Sequence, residues 1–320
     1  MKQKNLSLEL LKFLAVILVI NSHCGPLYGR YSALATGGAI GDALFFFASG
    51  FTLFLGRFGR FDNWYKRRIK RIYPSVIAWA FVKSVTNISQ PTLWRLAIGG
   101  GHWFISCIML YYIVLYFVRK FFPNKPVIPF LACSVAIMVW YLFEDSSTVF
   151  MYGATHFKWL HYFLYMLAGA YIGNNVINLK SKPLTDGFML VVSLLLFYGI
   201  QWMATRSVVV AHLQVITLIP LMGIVIYTYK LCSAQPVDKM MRSRLGLCLR
   251  FIAGLCLDAY IVQPIIINMM ANAISFPLNL PITFIIIIGV AYLTRCLARI
   301  ISQLFEKEDF DWKTVVRMVD

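Results

Sequence analysis

Charge is what this 320-residue sequence has least of: only 13% of its residues are Asp, Glu, Lys or Arg, against roughly a quarter in ordinary globular domains. Acidic residues are the scarcer sign, 13 against 30 Lys plus Arg, for a formal net charge of +17. Hydrophobic residues make up 60% and the mean hydropathy is +0.71, which excludes a disordered chain and a conventional soluble enzyme. Such a chain buries its surface in lipid. Paired cysteine motifs are missing too. Cys24, Cys107, Cys133, Cys232, Cys248, Cys256 and Cys296 form no CxxC pair and no metal-ligand spacing, so neither a disulfide scaffold nor a metal site is expected. They sit in or beside apolar runs, where a free thiol behaves as a small hydrophobe. No small-x-small cleavage site follows Val19-Ile20-Asn21-Ser22-His23, so the first apolar stretch reads as a retained span despite Lys2 and Lys4 before it. Long linkers, low-complexity tracts and internal repeats are absent. One transmembrane domain is therefore expected over residues 1–303, with 304–320 as a short cytoplasmic tail.

What is there is a series of apolar runs about 17–24 residues long, as a bilayer requires. They are Glu9–Leu27, Gly37–Gly56, Ile72–Ile88, Trp103–Phe122, Val127–Phe143, Trp159–Asn175, Gly187–Ala204, Val208–Lys230, Leu249–Asn272 and Pro281–Gln303. Breakers separate them: Gly25-Pro26, Gly99-Gly100-Gly101, Pro123 with Pro126, Lys182-Pro183, and Phe276-Pro277 with Pro281. The expected fold is an all-α transmembrane bundle of about ten spans with both termini cytoplasmic. Charge placement supports this. With the N-terminus inside, twenty-four basic residues fall on the cytoplasmic side, seven of them in Arg57–Arg71, and only Arg30, Arg95, Lys158 and Arg206 fall outside. That clustering suits topology and anionic membrane lipids, and no nucleic-acid partner is expected.

Ionisable groups at bilayer depth cost about 2.5–3.5 kcal/mol each on insertion scales, so each is a candidate for function. The spans hold Glu9, Lys12 and His23 in the first, Asp42 in the second, Lys83 in the third and Asp258 in the ninth. Glu9 and Lys83 lie close enough to span ends to snorkel. Lys12 and His23 share a helix and are about 16 Å apart along it, some three turns, so they project from nearly one face. His23 follows Asn21 and Ser22 in a polar patch. A histidine there suits a general base acting on a hydroxyl, or an imidazole satisfied by a neighbouring helix, and the residues alone leave both open. Lys66-Arg67-Arg68-Ile69-Lys70-Arg71 runs into the third span, either as a topogenic, lipid-contacting stretch or as a phosphate clamp. If helical, Arg68 and Arg71 fall on one face.

Several segments together resemble acyltransferase family 3, integral-membrane enzymes that O-acylate sugars, peptidoglycan and related cell-surface glycans. Leu11-Lys12-Phe13-Leu14-Ala15 through His23 looks like the family's first helix, where a basic residue precedes histidine by ten intervening residues. Leu44-Phe45-Phe46-Phe47-Ala48-Ser49-Gly50-Phe51 resembles its Phe-Phe-x-x-Ser-Gly-Phe segment, and Arg67–Pro74 is similar to its Arg-x-x-Arg motif running into Tyr-Pro. His102-Trp103-Phe104 follows the Trp-Phe opening of the fourth helix, and Leu257–Gln263 looks like the late Tyr-Leu-Val-His segment. Three positions depart from the pattern. Lys12 replaces the usual arginine, Asp42 lies one residue upstream of the common aspartate (Ala43 here), and Gln263 replaces the late histidine.

The resemblance implies a membrane O-acyltransferase of the bacterial plasma-membrane type, using acetyl-CoA or another acyl-CoA from the cytoplasmic side. Lys12, Arg68 and Arg71 would bind the donor's phosphates and His23 would be the catalytic base, by direct transfer or through an acyl-enzyme. Asp42, Ser49, Gly50 and Trp103 are expected to support the site, with Ser49-Gly50 allowing close helix approach. A glycan or lipid-linked sugar is the expected acceptor, and Trp94, Trp103, Tyr152, Trp159 and Tyr162 are aromatic groups that suit sugar stacking or interfacial anchoring. The competing functions are a carrier or flippase of a lipid-linked saccharide and a lipid-binding scaffold. The acceptor's identity, the acyl group and assembly into a homo-oligomer stay open at this point.

Overall fold

A computed structural model describes residues 5–88, 92, 94, 96, 102–153, 155–177, 179–271, 273–306 and 309–317. Arg95, the Gly99-Gly100-Gly101 loop, Lys2, Lys4 and the last three residues lie outside these. The described chain is all-helical, 78% helix with no strands. In order, the helices are α1 (Leu6–His23), α2 (Gly25–Tyr28), α3 (Gly38–Leu55), α4 (Phe61–Val85), α5 (Trp103–Phe121), α6 (Val127–Tyr141), α7 (Lys158–His161) and α8 (Phe163–Gly173). There follow α9 (Pro183–Ala204), α10 (Val208–His212), α11 (Leu218–Cys232), α12 (Gln235–Met241), α13 (Arg244–Gly254), α14 (Cys256–Met270), α15 (Asn279–Leu304) and α16 (Trp312–Val316). Short 3-10 turns cover Gly29–Leu34 and Gln214–Thr217.

Among the described residues, six helical stretches are long and apolar enough to cross a membrane: α1, α3, α5, α9, Gln214–Cys232 and α15. The pair α13 and α14, bent by 69° at its break, passes the same test when taken together, which gives six to seven candidate spans. Large apolar side chains point outward along these helices, among them Leu195, Ile219 and Ile285, each more than two-thirds exposed, an arrangement that only lipid makes favourable. The expected count of ten also takes in three regions that do not meet this test alone. The stretch 72–88 is the second half of α4, whose first half carries the basic residues. Val127–Tyr141 is 15 residues long, and 159–175 is divided between α7 and the 11-residue α8.

The described residues form two compact units. The first comprises Met1–Ala15, Ala39–Phe58 and Val114–Arg242. Here α3 and α8 meet backbone to backbone: a Cβ on Gly50 would overlap the Met166 carbonyl oxygen, and one on Gly169 would overlap that of Phe47. Gly173 repeats the contact against Phe51 one turn on, so Gly169-Ala170-Tyr171-Ile172-Gly173 acts as a small-residue seam. Arg119 donates to the Leu53 carbonyl at 2.7 Å and covers Phe54 and Phe58, giving the end of α3 a cation where the helix dipole is negative. Buried Gln214 interrupts the expected 208–230 span. Its Nε2 donates to Thr148 and Ala211 carbonyls, and its Oε1 accepts from the backbone of Phe150 and Met151. Asp186, buried at the start of α9, pairs with Lys230 of α11.

The second unit comprises Val16–Gly38, Gly59–Ile113 and Ser243–Asp320. Its centre is α4, α14 and α15 packed together. α1 stops at His23 because Gly25-Pro26 follows, and Pro26 opens α2 instead. Gly37, at φ +97°, turns the chain where an L side chain would be strained, and a Cβ there would press on Leu18.

Candidate functional site

His23 is the last residue of α1 and is exposed. Its Nδ1–H donates to the Val19 carbonyl at 2.8 Å, with Ser22 Oγ 3.3 Å away and the side-chain amide of Gln263 (α14) at 3.4 Å. Every polar contact of His23 among the described residues is at Nδ1, with the Val19 carbonyl taking its proton, and none of these neighbours is a carboxylate. A ring whose Nδ1 carries the proton presents Nε2 as a lone pair, the state a proton acceptor needs. The polar patch beside it is structural. Asn21 donates to the carbonyls of Leu34 and Thr36, both at 2.9 Å, and accepts from the Tyr28 hydroxyl at 2.7 Å. These bonds fasten the segment after His23 to the end of α1.

On α14, Gln263 stands three residues from Tyr260, so the two share one side of the helix. Tyr260 packs edge-on to His102, 6.0 Å between centroids, and against Phe104 at 5.0 Å. His102 precedes the α5 span, and burial with the charge of Lys83 pushes its imidazole down to about 4, which keeps it neutral. It is a second histidine that composition did not single out. The pattern that would have found it is its place directly before Trp103-Phe104.

Asp258 is fully buried in the first turn of α14 and pairs with Arg295 of α15 at 2.7 Å, with Ser75 of α4 alongside. Arg295 also donates to the Gly254 carbonyl at 3.3 Å. The break between α13 and α14 is thus held at both ends: a cation at the negative end of α13 and a carboxylate at the positive end of α14. Asp258 stands out in the sequence as an intramembrane charge, whereas neither the break nor Arg295 as its partner is visible there.

The basic stretch is helical, as the Arg68/Arg71 pairing required, but burial separates the two. Arg68 is half-buried with its guanidinium 4.7 Å from the Trp64 ring, and Trp64 is itself buried edge-on to Tyr112. Arg71 is exposed. Lys12 is paired with Glu9 one turn earlier on α1 at 2.9 Å, so part of its charge is already compensated.

The remaining expected residues fall as follows. Asp42, on α3 in the first unit, has a buried Oδ1 with no hydrogen-bond partner among the described residues and lies in the field of Lys158. Ser49-Gly50 marks the α3–α8 contact, a packing role for Gly50. Trp103 stacks edge-on to Phe104 in the second unit. Two of the aromatic groups considered for sugar stacking are committed elsewhere. Tyr162 is buried against Phe46 and His161, and the Tyr152 hydroxyl bonds to Thr217 at 2.9 Å. Trp94 is exposed.

The second unit therefore contains an exposed imidazole with a committed Nδ1 beside Gln263 of α14 and, on a separate element, the guanidinium-bearing stretch of α4. The family model of acyltransferase family 3, described as an acyltransferase domain, matches residues 5–298. The chain belongs to acyltransferase family 3. That family match and the apolar helices make it a multi-pass membrane protein and an acyltransferase. No curated protein and no solved structure matches it.

Proposed function

We propose that this acyltransferase moves an acyl group, acetyl in the first instance, from cytoplasmic acyl-CoA to a hydroxyl of a cell-surface polysaccharide or lipid-linked sugar. It would work in a bacterial plasma membrane with both termini cytoplasmic. The observation that carries the reading is the His23–Val19 hydrogen bond, which leaves Nε2 as the proton acceptor. In the proposed step, Nε2 takes the proton of an acceptor hydroxyl as its oxygen attacks the thioester carbonyl. The C–S bond then breaks, and the coenzyme thiolate recovers the proton from the imidazolium. The about 16 Å between Lys12 and His23 along α1 is on the order of an extended pantetheine arm. Because Lys12 is paired with Glu9, the donor's phosphates fall mainly to α4, with exposed Arg71 as the first contact and Arg68 behind it.

One observation favours the carrier reading: a span broken by 69° at a buried ion pair is a feature of transport paths. The test is the acetyl content of the surface glycan, read by NMR from cells with and without the intact gene. Loss of O-acetyl signals at unchanged glycan amount supports the transferase. Loss of the glycan itself supports the carrier.

A further inference from the structure

The first unit brings a serine and a histidine together, away from the residues used so far. Ser146, in the segment after α6, has its Oγ 2.6 Å from Nδ1 of His212, the last residue of α10. The two are 66 positions apart in the chain. Asp145, directly before the serine, lies in the field of His212. The Ser147 hydroxyl and backbone N–H, the latter at 3.0 Å, hold the Asp145 carboxyl below the usual carboxylate range, so it stays charged. Asp145 and His212 are exposed and Ser146 is half-buried.

Other groups fix both segments without this contact. The Tyr141 hydroxyl donates to the His212 carbonyl at 2.7 Å. Gln214, 2% exposed, donates to the carbonyls of Ala211 and Thr148 at 2.8 and 2.9 Å, and its Oε1 accepts from the backbone of Phe150 and Met151. One amide thus ties the residue before His212 to the chain two residues after Ser146. The Ser146–His212 hydrogen bond is at the surface, where water competes for both partners, so it adds little to what already joins the segments. Its consequence is chemical. Side chains carried on a braced backbone meet at the separation that proton transfer needs. A serine hydroxyl donating to an imidazole lone pair is an activated nucleophile, and Nε2 then carries the ring proton in the field of Asp145.

We propose that Ser146 and His212 form a second site, which cleaves carboxylic esters of alcohols by way of an acyl-serine. The segments that carry the pair follow the C-terminal ends of α6 and α9, whose N-terminal ends adjoin Lys125 and Lys182. With those lysines cytoplasmic, the pair faces the opposite side. The inference rests on the transferase reading for that orientation and for the natural ester, an O-acylated surface alcohol, and its chemistry is separate from His23. Ser146 Oγ attacks the ester carbonyl as its proton passes to Nδ1 of His212. The ester C–O bond breaks, and the departing alcohol takes that proton. Water then attacks the acyl-serine and gives a proton to Nδ1. The bond from the acyl carbon to Oγ breaks, Oγ recovers the proton, and the carboxylic acid leaves.

The test uses the full chain in lipid nanodiscs with two probes: a fluorophosphonate, which phosphonylates activated serines, and 4-nitrophenyl acetate. Mass spectrometry of the wild type finds the phosphonyl adduct on Ser146, a readout that needs no variant to fold. Release of 4-nitrophenol falls by about tenfold or more in Ser146→Ala and in His212→Gln at unchanged melting temperature. Absence of the adduct from Ser146 in the folded wild type, or release at the wild-type rate in the folded variants, overturns the site. Acetyl transfer from acetyl-CoA without the adduct removes this site and leaves the transferase. If adduct and release behave as stated but the wild type moves no acetyl from acetyl-CoA to any acceptor, the ester-cleaving site stands and the acyltransfer reading falls.

Discussion

His23 and Gln263 meet 3.4 Å apart, the end of α1 against the middle of α14, at the same ring nitrogen that bonds to Val19. With the Nδ1 proton given to Val19, the Gln263 amide nitrogen is a packing neighbour of the ring edge that limits its rotation and leaves Nε2 untouched. Gln263→Leu is expected to lower kcat about tenfold with the KM for acyl-CoA unchanged, since ring orientation and not donor binding is lost. A rise in KM alone would remove Gln263 from this role.

The donor contacts separate by exposure. Arg71→Ala is expected to raise the KM for acyl-CoA about tenfold in steady-state assays, with the folded fraction unchanged, because the side chain is exposed. Arg68→Ala removes packing on Trp64 as well as charge, so it lowers thermal stability in addition. Equal donor kinetics in both variants would return the stretch to setting topology.

Breaking the Asp258–Arg295 pair from one side leaves a buried charge without its partner, at a cost of about 3–5 kcal/mol. Asp258→Asn and Arg295→Gln singly are expected to destabilise the detergent-solubilised protein strongly, and together by less than their sum. Additive losses in that double-mutant cycle would mean the pair does not brace the α13–α14 break.

Gly50→Ala and Gly169→Ala force a Cβ onto backbone carbonyls that no side-chain rotation relieves, and each is expected to cost about 1–3 kcal/mol. Gly199→Ala meets nothing within 4 Å and is expected to be neutral or slightly stabilising, in keeping with helix propensity. Thermal unfolding of the three variants side by side checks the contrast.

His102 contributes a pH dependence of known sign. Its neutral form is favoured in the folded chain, with the imidazole pushed from 6.5 to about 4. Between those values the unfolded chain binds more protons, so stability falls as pH drops from about 6.5 towards 4. His102→Gln is expected to flatten that part of the stability profile. An unchanged slope would show that the ring titrates in the fold as it does in water.

The long apolar spans were legible because lipid sets their length: α1, α3, α5, α9 and α15 each follow a mainly hydrophobic run between breakers. The region from α6 to α8 was not. Its short helices end where Gln214 and a packed aromatic cluster meet the backbone, and those contacts join residues more than sixty positions apart. The α13–α14 break was hidden for the same reason, since Leu249–Asn272 reads as one mainly apolar run of span length and the arginine that stabilises the break comes 41 residues after Gly254. At the site, His23 stood out through its polar neighbours, yet their purpose, fastening the following loop, is tertiary. The Glu9–Lys12 pair was readable from its i,i+3 spacing, but it bears on donor binding only once the bond is formed. Helical period put Arg68 and Arg71 side by side, whereas Trp64 decides which of them is half-buried.

The most direct measurement is transfer of labelled acetyl from acetyl-CoA to a glycan acceptor by the purified chain in liposomes, wild type against His23→Ala at equal membrane abundance. The account predicts transfer by the wild type and a loss of about 10²–10⁴-fold in the variant, the usual worth of a general base. Transfer at the wild-type rate by the folded variant would contradict it.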